Sequence, residues 1–470
     1  MFQLSEMFHL GESVVALFLA YCFAAAGDLI TNRRSDSWSS WNQSFMVGIS
    51  VSTAVLFPLS LLLPAHALLA VAILLLAAGG ARLHSVLQKG IATWWSGARP
   101  GIRQRDLLAL GILAVVAVLA IQFVVQNALR ADDSDGYQIW STKAFILYHR
   151  GAMTKDLLIP GEYDRVNTYP FMVPLYEALL SVLRGQFTFD GTKPVFAFFF
   201  LSMLMSTFHA ARGLASTRIA LGATALLASI PALTTHSNVE GFADMPEACL
   251  VAAVAAACLG NGFSSRPTSF RDPLPWLIIG LALVKDEGTV LLVILSAVIG
   301  LSWIAKGWSS FIENCRVYWR PIAIIVCGFL LRMWMVAWVG GHDVTYAPLT
   351  SAASWSRAAE RLREVPSLCF VRLTSWNQWG LLWPAFLVAV PIVLIEGTGR
   401  ERAGALATAL PLFAYTALFY FTNWQVSEHI STAYDRVLEQ LAPMAVLVLV
   451  MAYVRLCGAT QPYMRSSDCL

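Results

Sequence analysis

Long apolar segments alternate with short polar ones along almost the whole chain. A membrane-spanning helix needs about 20 consecutive apolar residues, with about 17–25 tolerated. The pattern therefore predicts an all-α polytopic membrane protein with about thirteen transmembrane helices. The predicted spans are 12–31, 44–63, 65–81, 106–126, 194–212, 218–234, 245–261, 274–284, 288–305, 321–340, 379–396, 404–421 and 441–456.

Composition agrees with a membrane location. Of the 470 residues, 57% are hydrophobic and 13% are charged, whereas a soluble domain carries about 25% charge. The net charge of +3 is too small to indicate nucleic acid as a partner. The eight cysteines are scattered, and their spacing predicts neither a zinc site nor a disulfide framework.

Basic residues indicate the orientation. Lys and Arg concentrate in alternate loops, beginning with Arg33 and Arg34 after the first span and ending at the C-terminus. Such loops face the cytoplasm in most membrane proteins. This places the N-terminus outside and the C-terminus in the cytoplasm. The remaining loops are then external: 127–193, 235–244, 341–378 and 422–440.

The polar, aromatic-rich stretch from Arg130 to Gly185 is too long for a simple connector. It opens with three acidic residues at the predicted edge of the bilayer, namely Asp132, Asp133 and Asp135. Its spacing predicts an interfacial helix over 136–149 and a membrane-surface helix over 171–183, with Gly185 ending the second. Acidic groups at a bilayer edge beside a long external loop indicate a functional site.

A second charged position interrupts the apolar stretch 273–305. The segment 274–284 is too short to cross a core of about 30 Å, so Lys285, Asp286 and Glu287 are expected at a hairpin tip within the outer leaflet. Charges there cost about 2.5–3.5 kcal/mol each unless they are paired or hydrated. Either these residues neutralise one another, or Lys285 faces an anion in a hydrated cavity.

Two further external loops offer candidate residues with open alternatives. Asp244 precedes Pro246 at a predicted helix start and is either an N-cap or a site residue. Arg436, near His429, either clamps a phosphate or pairs with Asp435. The basic residues of loop 341–378 either bind an anion or line a solvated amphipathic helix: Arg357, Arg361, Arg363 and Arg372.

Four short motifs follow one another over 106–456. They are Asp135-Gly136-Tyr137-Gln138-Ile139-Trp140 with Lys143-Ala144, Tyr169-Pro170 with Pro174-Leu175-x-Glu177-Ala178, Gly241-Phe242-Ala243-Asp244-x-Pro246, and Lys285-x-Glu287-Gly288. In this order they resemble motifs of the polytopic glycosyltransferases of the GT-C fold, which use polyprenyl-phosphate sugars. This family includes the protein O-mannosyltransferases and the lipid A aminoarabinose transferase.

The resemblance implies a membrane glycosyltransferase that displaces the lipid phosphate directly at the anomeric carbon. Asp135 is then the expected base with Asp133 as the alternative, and Asp244 orients the sugar or the acceptor. The expected ligands of the donor phosphate are Lys285, Arg436 and Arg372. The expected substrate-binding residues are Tyr137, Trp140, Lys143, Tyr169, Glu287 and His429. No cofactor is demanded, and a divalent cation is left open.

The resemblance also implies partners and a location. The partners are a polyprenyl-phosphate-linked sugar, a lipid, glycan or protein acceptor, and membrane lipids. The location is a bacterial inner membrane. Residues 1–105 form an added N-terminal three-helix membrane module, 106–456 the GT-C-like core and 457–470 a cytoplasmic tail. The alternatives are a lipid-linked glycan ligase or polymerase that depends on Arg372 and His342, and a non-enzymatic lipid or solute transporter.

Overall fold

The computed structural model describes residues 10–31, 38–89, 106–129, 136–154, 169–234, 241–259, 270–339, 346–347 and 350–458. Helices account for almost all of these residues, as predicted. Apart from short 3₁₀ turns and a π-helix at Gly136–Ser141, they are α1 (Leu10–Thr31), α2 (Trp38–Leu62), α3 (Ala67–Lys89), α4 (Leu107–Leu129), α5 (Thr142–Arg150), α6 (Met172–Arg184), α7 (Pro194–Leu214), α8 (Thr217–Ala228), α9 (Pro231–Thr234), α10 (Asp244–Leu259), α11 (Pro273–Val284), α12 (Asp286–Ile304), α13 (Trp308–Val317), α14 (Trp319–Val339), α15 (Ala352–Glu360), α16 (Glu364–Leu373), α17 (Trp376–Trp379), α18 (Leu382–Glu396), α19 (Gly399–Leu418) and α20 (Val426–Leu456).

Within the described ranges, nine helices are long and apolar enough to cross a membrane, as expected of a polytopic membrane protein. They are α1, α2, α3, α4, α7, α12, α14, α19 and α20. Each coincides with a predicted span. The other four predicted spans fall on the shorter helices α8, α10, α11 and α18, so a count of thirteen stays a prediction.

The external loop predicted over 422–440 is wrong for most of its length, because α20 already begins at Val426. Buried positions recur along its first four turns at a helical period, including His429, Tyr434 and Leu438. The polar residues between them lie on the other face of the same helix. With 31 residues, α20 is about 46 Å long and exceeds a bilayer core of about 30 Å.

The first three helices share one hydrophobic core with the later ones, and this core extends from Ala16 to Val454. Polar contacts also join them to it. Tyr176 Oη on α6 donates to the carbonyl of Ala16 on α1 at 2.9 Å. Asn42 Nδ2 on α2 donates to the carbonyl of Ser202 on α7 at 3.0 Å. The predicted domain boundary at residue 105 lies outside the described residues.

The two helices predicted in the long external loop are present, with one correction. The first begins as a π-helix at Gly136 and continues as α5 to Arg150. The second is α6, which ends at Gly185 in a left-handed conformation with φ 75°, as predicted. However, every residue from Met172 to Ser181 is buried, so α6 is not a surface helix. Helices α1 to α3 cover it, and the sequence alone did not indicate this packing.

The predicted break at Lys285 is present. Asp272 caps α11 by accepting from the Leu274 amide at 2.9 Å, and Lys285 ends α11 in an extended conformation. Gly288 then lies against the carbonyl of Leu281, where a Cβ atom would collide with the carbonyl oxygen. This close approach turns the chain sharply and holds Lys285 inside the helical bundle, with 1% of its side chain exposed.

Candidate functional site

A buried carboxylate, Asp244 at the start of α10, is the centre of the candidate site. Its Oδ1 accepts from Lys285 Nζ at 2.6 Å and from Gln440 Nε2 at 2.8 Å. Its Oδ2 accepts from Arg436 Nε at 2.9 Å. The site thus joins three parts of the chain that are far apart in sequence. Because both of its oxygens accept from these donors, Asp244 is suited to hold cations in place rather than to take up a proton.

Lys285 contacts a second carboxylate, Glu287, whose Oε1 lies 3.0 Å from its Nζ. The backbone of Glu287 is held as well, since Tyr415 Oη on α19 donates to its carbonyl at 2.7 Å. The five residues Asp244, Lys285, Glu287, Arg436 and Gln440 are called the Asp244 cluster below. It opens outward at Glu287 and Arg436, whose side chains are 29% and 21% exposed.

A second ion pair lies next to this cluster. Arg332, in the middle of α14 and 3% exposed, pairs with Asp286. One alternative from the sequence is that Lys285, Asp286 and Glu287 neutralise one another. The structure confirms the pairing of Lys285 with Glu287, adds Asp244 as a second partner of Lys285, and pairs Asp286 with Arg332. The position of Arg332 inside the apolar span 321–340 was a signal that sequence reasoning passed over, since a charge within a span commonly marks a functional site.

Three predicted substrate-binding residues of the long loop over 127–193 lie together. The ring of Trp140 stacks on that of Tyr169 with centroids 5.3 Å apart. Lys143 Nζ donates to the carbonyl of Tyr169 at 2.7 Å and lies over the ring of Phe171, 5.1 Å from its centroid. Trp140, Tyr169 and Phe171 thus form one aromatic unit around the buried amine of Lys143.

This loop unit lies within electrostatic reach of the charged residues. Burial lowers the pKa of Lys143 to about 7, the negative charge of Asp286 raises it in part, and Arg332 lowers it further. Burial also raises the pKa of Tyr169, and the charged groups that act on this residue include Glu287, Lys285 and Arg436. The loop and the Asp244 cluster therefore form one region of the protein.

Four buried acceptor atoms in this region have no hydrogen-bond donor among the described residues. They are both carboxylate oxygens of Glu247, Oε2 of Glu287 and Oε1 of Gln440. Glu247 is completely buried and lies three residues after Asp244 on α10, hence on the same side of that helix. Sequence reasoning assigned no role to Glu247 or Gln440, although both belong to or adjoin predicted spans.

Three predicted site residues lie in other environments. Arg372 pairs with Asp435 at 3.1 Å and Tyr137 packs on Phe189, with ring centroids 4.4 Å apart. His429 Nδ1 lies 2.6 Å from Thr422 Oγ1, among the rings of Tyr346, Phe419 and Trp424. The alternative pairing of Arg436 with Asp435 is replaced by Arg436 with Asp244 and Arg372 with Asp435.

The described part of the basic segment 341–378 contains the short helices α15 and α16 and the beginning of α17. Arg361 Nη1 donates to the carbonyls of Thr422 and Tyr420, at 2.7 and 3.1 Å. Arg357 donates to Asn423 Oδ1 at 3.4 Å. These arginines connect α15 to the segment that precedes α20.

The expected base Asp135, its alternative Asp133 and the neighbouring Asp132 lie outside the described residues. Gly136, which follows Asp135 in the chain, is buried and begins the π-helix that leads to Trp140 and Lys143. Among the described residues, no group of three or more His, Cys, Asp and Glu could hold a metal ion.

Comparison with protein families, curated proteins and solved structures gives no match for this chain. Arg436 can attract an anion where the cluster opens outward, Lys285 adds positive charge from inside, and Asp244 holds both in place. The carboxylates and the amide oxygen can accept hydrogen bonds from a ligand that carries donors.

Proposed function

We propose that the protein is a membrane glycosyltransferase that moves a sugar from a polyprenyl-phosphate donor to an acceptor on the external face. The observation that supports this function best is the meeting of Lys285 and Arg436 on Asp244. Asp244 and Lys285 each lie within a GT-C-like motif, and Arg436 shortly precedes the last predicted span. These three residues come from separate parts of the chain and form one charged cluster. Beside it lies the aromatic unit of the long loop.

The cations have a clear role in such a reaction. When the acceptor oxygen bonds to the anomeric carbon, the bond to the phosphate oxygen breaks and negative charge grows on the leaving polyprenyl phosphate. Arg436 is partly exposed and can donate to phosphate oxygens, and Lys285 adds charge from inside. Cations positioned before the reaction stabilise such charge without costly reorganisation.

The acceptor needs a carboxylate to remove the proton from its hydroxyl group. Asp135 takes this role in the proposal, on the basis of its place in the motif that leads to Trp140 and Lys143. Asp244 takes a positioning role, because its oxygens are occupied by Lys285, Arg436 and Gln440.

The orientation and location belong to the same proposal. The N-terminus and the long loop face outward, the C-terminus is cytoplasmic, and the membrane is a bacterial inner membrane. A lipid-linked donor in the outer leaflet then reaches the site without leaving the bilayer. The acceptor is a lipid, glycan or protein of the cell envelope.

A transporter is the second candidate, because buried ion pairs within a helical bundle also mark transport pathways. Comparing lipid extracts and envelope glycans by mass spectrometry, in cells with and without the gene, separates the two functions. A transferase predicts that a glycosylated polyprenyl phosphate accumulates without the gene and that one glycan product disappears. Identical extracts would contradict it, whereas movement of a lipid by the reconstituted protein without a covalent product would support transport.

A further inference from the structure

The acceptor atoms without donors are unusual because they are buried and belong to residues in or next to the Asp244 cluster. A buried polar group that lacks a hydrogen bond is costly, and native proteins keep few of them without a reason. Here Glu247 and Gln440 are each 0% exposed. Glu287 offers one more such atom, Oε2, while its Oε1 contacts Lys285.

The contacts place these atoms around a single ion pair. Gln440 donates to the same Asp244 oxygen as Lys285 does, and Lys285 in turn contacts Glu287. Gln440 must point its amide nitrogen at the carboxylate, because a carboxylate only accepts, and this leaves its oxygen unused. Glu247 is buried one helical turn after Asp244, on the same side of α10. The unused acceptors of Glu287 and Gln440 therefore lie beside the Asp244–Lys285 pair, and those of Glu247 lie on the side of α10 that carries Asp244.

Acceptors without donors require a ligand that brings donors. A phosphate diester has only acceptor oxygens and cannot satisfy them. A sugar ring carries several hydroxyl groups, and each can donate to a carboxylate or an amide oxygen. The cations and the neighbouring acceptors thus match the two chemical parts of a sugar phosphate.

We propose that Glu247, Glu287 and Gln440 form a subsite that binds hydroxyl groups of the sugar in the donor, next to the cations that hold its phosphate. This subsite rests on the transferase function proposed for the protein and assigns residues to its sugar specificity. Of the three, sequence reasoning had considered only Glu287 as a substrate-binding residue.

A substitution at Glu247 can distinguish an effect on sugar binding from an effect on folding. Replacing an unsatisfied buried carboxyl by an apolar side chain of similar size is commonly neutral or stabilising. Glu247→Met should therefore unfold at the same temperature as the wild type or higher, yet lose contacts with the sugar. A residue with a purely structural role would not combine these two effects.

The experiment uses the full-length protein in lipid nanodiscs and two kinds of probe. One probe is undecaprenyl phosphate without a sugar, and the others are undecaprenyl phosphates that carry glucose, mannose or arabinose. Their affinities are measured for the wild type, Glu247→Met, Glu287→Gln and Lys285→Met. Glu360→Gln, on the exposed end of α15, is the charge-matched control.

The expected result is that the wild type binds one glycosylated probe about tenfold or more tightly than undecaprenyl phosphate, as hydrogen bonds to charged groups allow. Glu247→Met and Glu287→Gln should lose most of this preference while binding undecaprenyl phosphate as before. Lys285→Met should weaken both kinds of probe, and Glu360→Gln neither.

Three outcomes would overturn the subsite. In the first, the wild type shows no preference for any glycosylated probe. In the second, Glu247→Met and Glu287→Gln both retain the preference. In the third, the affinity of these two variants falls equally for both kinds of probe. Transferase activity of the wild type would still stand in each of these cases. If the wild type binds no probe and transfers no sugar, the proposed function fails, and the subsite with it.

Discussion

Lys285 Nζ lies 2.6 Å from Asp244 Oδ1, and both side chains are buried, at 1% and 0% exposure. A carboxylate in such a place is tolerated because its partners supply charge and hydrogen bonds. Two cations, Lys285 and Arg436, contact this group, and Lys285 contacts Glu287 as well. The loss of Asp244 would therefore reduce the negative charge that compensates the buried cations.

Asp244→Asn should lower the free energy of unfolding by about 3–5 kcal/mol, the usual range when one partner of a buried ion pair is removed. Denaturant unfolding in detergent, followed by tryptophan fluorescence, measures the change. Asp106→Asn is the matched control, because Asp106 pairs with Arg218 in an exposed ion pair of 2.9 Å and should matter little. Similar effects of the two substitutions would contradict the central role of Asp244.

Gly288→Ala should destabilise the protein by about 1–3 kcal/mol, the usual cost of overpacking, because the new Cβ would meet the carbonyl of Leu281. It should also move Lys285 and Glu287 and reduce activity. Gly300→Ala on the same helix is the control, since no atom lies within 4 Å of its Cβ position. There alanine should be neutral or slightly stabilising. Equal melting temperatures for both variants would disprove the close approach of α11 and α12.

Stability should depend on pH through Lys143. Its pKa is about 7 in the folded protein because of burial, against about 10.4 when unfolded. Between these values the unfolded chain binds more protons, so stability should rise with pH from about 7 to 10, by at most about 1.4 kcal/mol per pH unit. Below pH 7 both states are protonated, and this contribution should be constant.

Lys143→Met removes the titrating amine and should flatten the pH dependence. Melting temperatures measured from pH 6.5 to 9.5 for both proteins test this expectation. Asp286 and Arg332, the charged groups that act on Lys143, stay unchanged in the variant. A slope that persists in Lys143→Met would assign the pH dependence to another group.

Asp135→Asn should slow sugar transfer by about 10²–10⁴, the usual contribution of general-base assistance, while the donor still binds. Asn keeps the size of the side chain and removes the proton acceptor. Turnover by purified variants measures the effect, with Asp132→Asn and Asp133→Asn in parallel. A loss confined to Asp133→Asn or Asp132→Asn would move the base to that residue. Full activity of all three would argue against the transferase.

Single cysteines introduced at Ser5 and Asn167 should react with a membrane-impermeant maleimide in intact spheroplasts. The expectation follows from the alternation of basic loops, which places both positions outside. A cysteine in the basic segment after the third predicted span, at Ser96, should react only after lysis. Protection of Ser5 or Asn167 in intact spheroplasts would reverse or break the predicted topology.

The sequence indicated the charged positions better than their partners. Among the described residues, apolar length located the nine longest helices, although only the second half of α20, and the break before Asp286 followed from one short segment. The contact between Asp244 and Arg436 joins residues 192 positions apart. No local pattern encodes such a distance. The interpretation of 422–440 as a loop was wrong. Polar residues on one face of α20 interrupt the apolar sequence, so apolar length alone does not reveal the helical period of the buried residues on the other face.

The burial of α6 by the N-terminal helices limits how far the chain can be shortened. Tyr176 donates a hydrogen bond to the carbonyl of Ala16, and its ring packs edge to face on that of Phe23, with centroids 5.2 Å apart. A protein shortened to 106–456 would expose this face of α6. Apolar surface of this kind promotes aggregation when its cover is removed. Truncated or chimaeric versions of the protein should therefore keep helices α1 to α3, because α6 packs on all three.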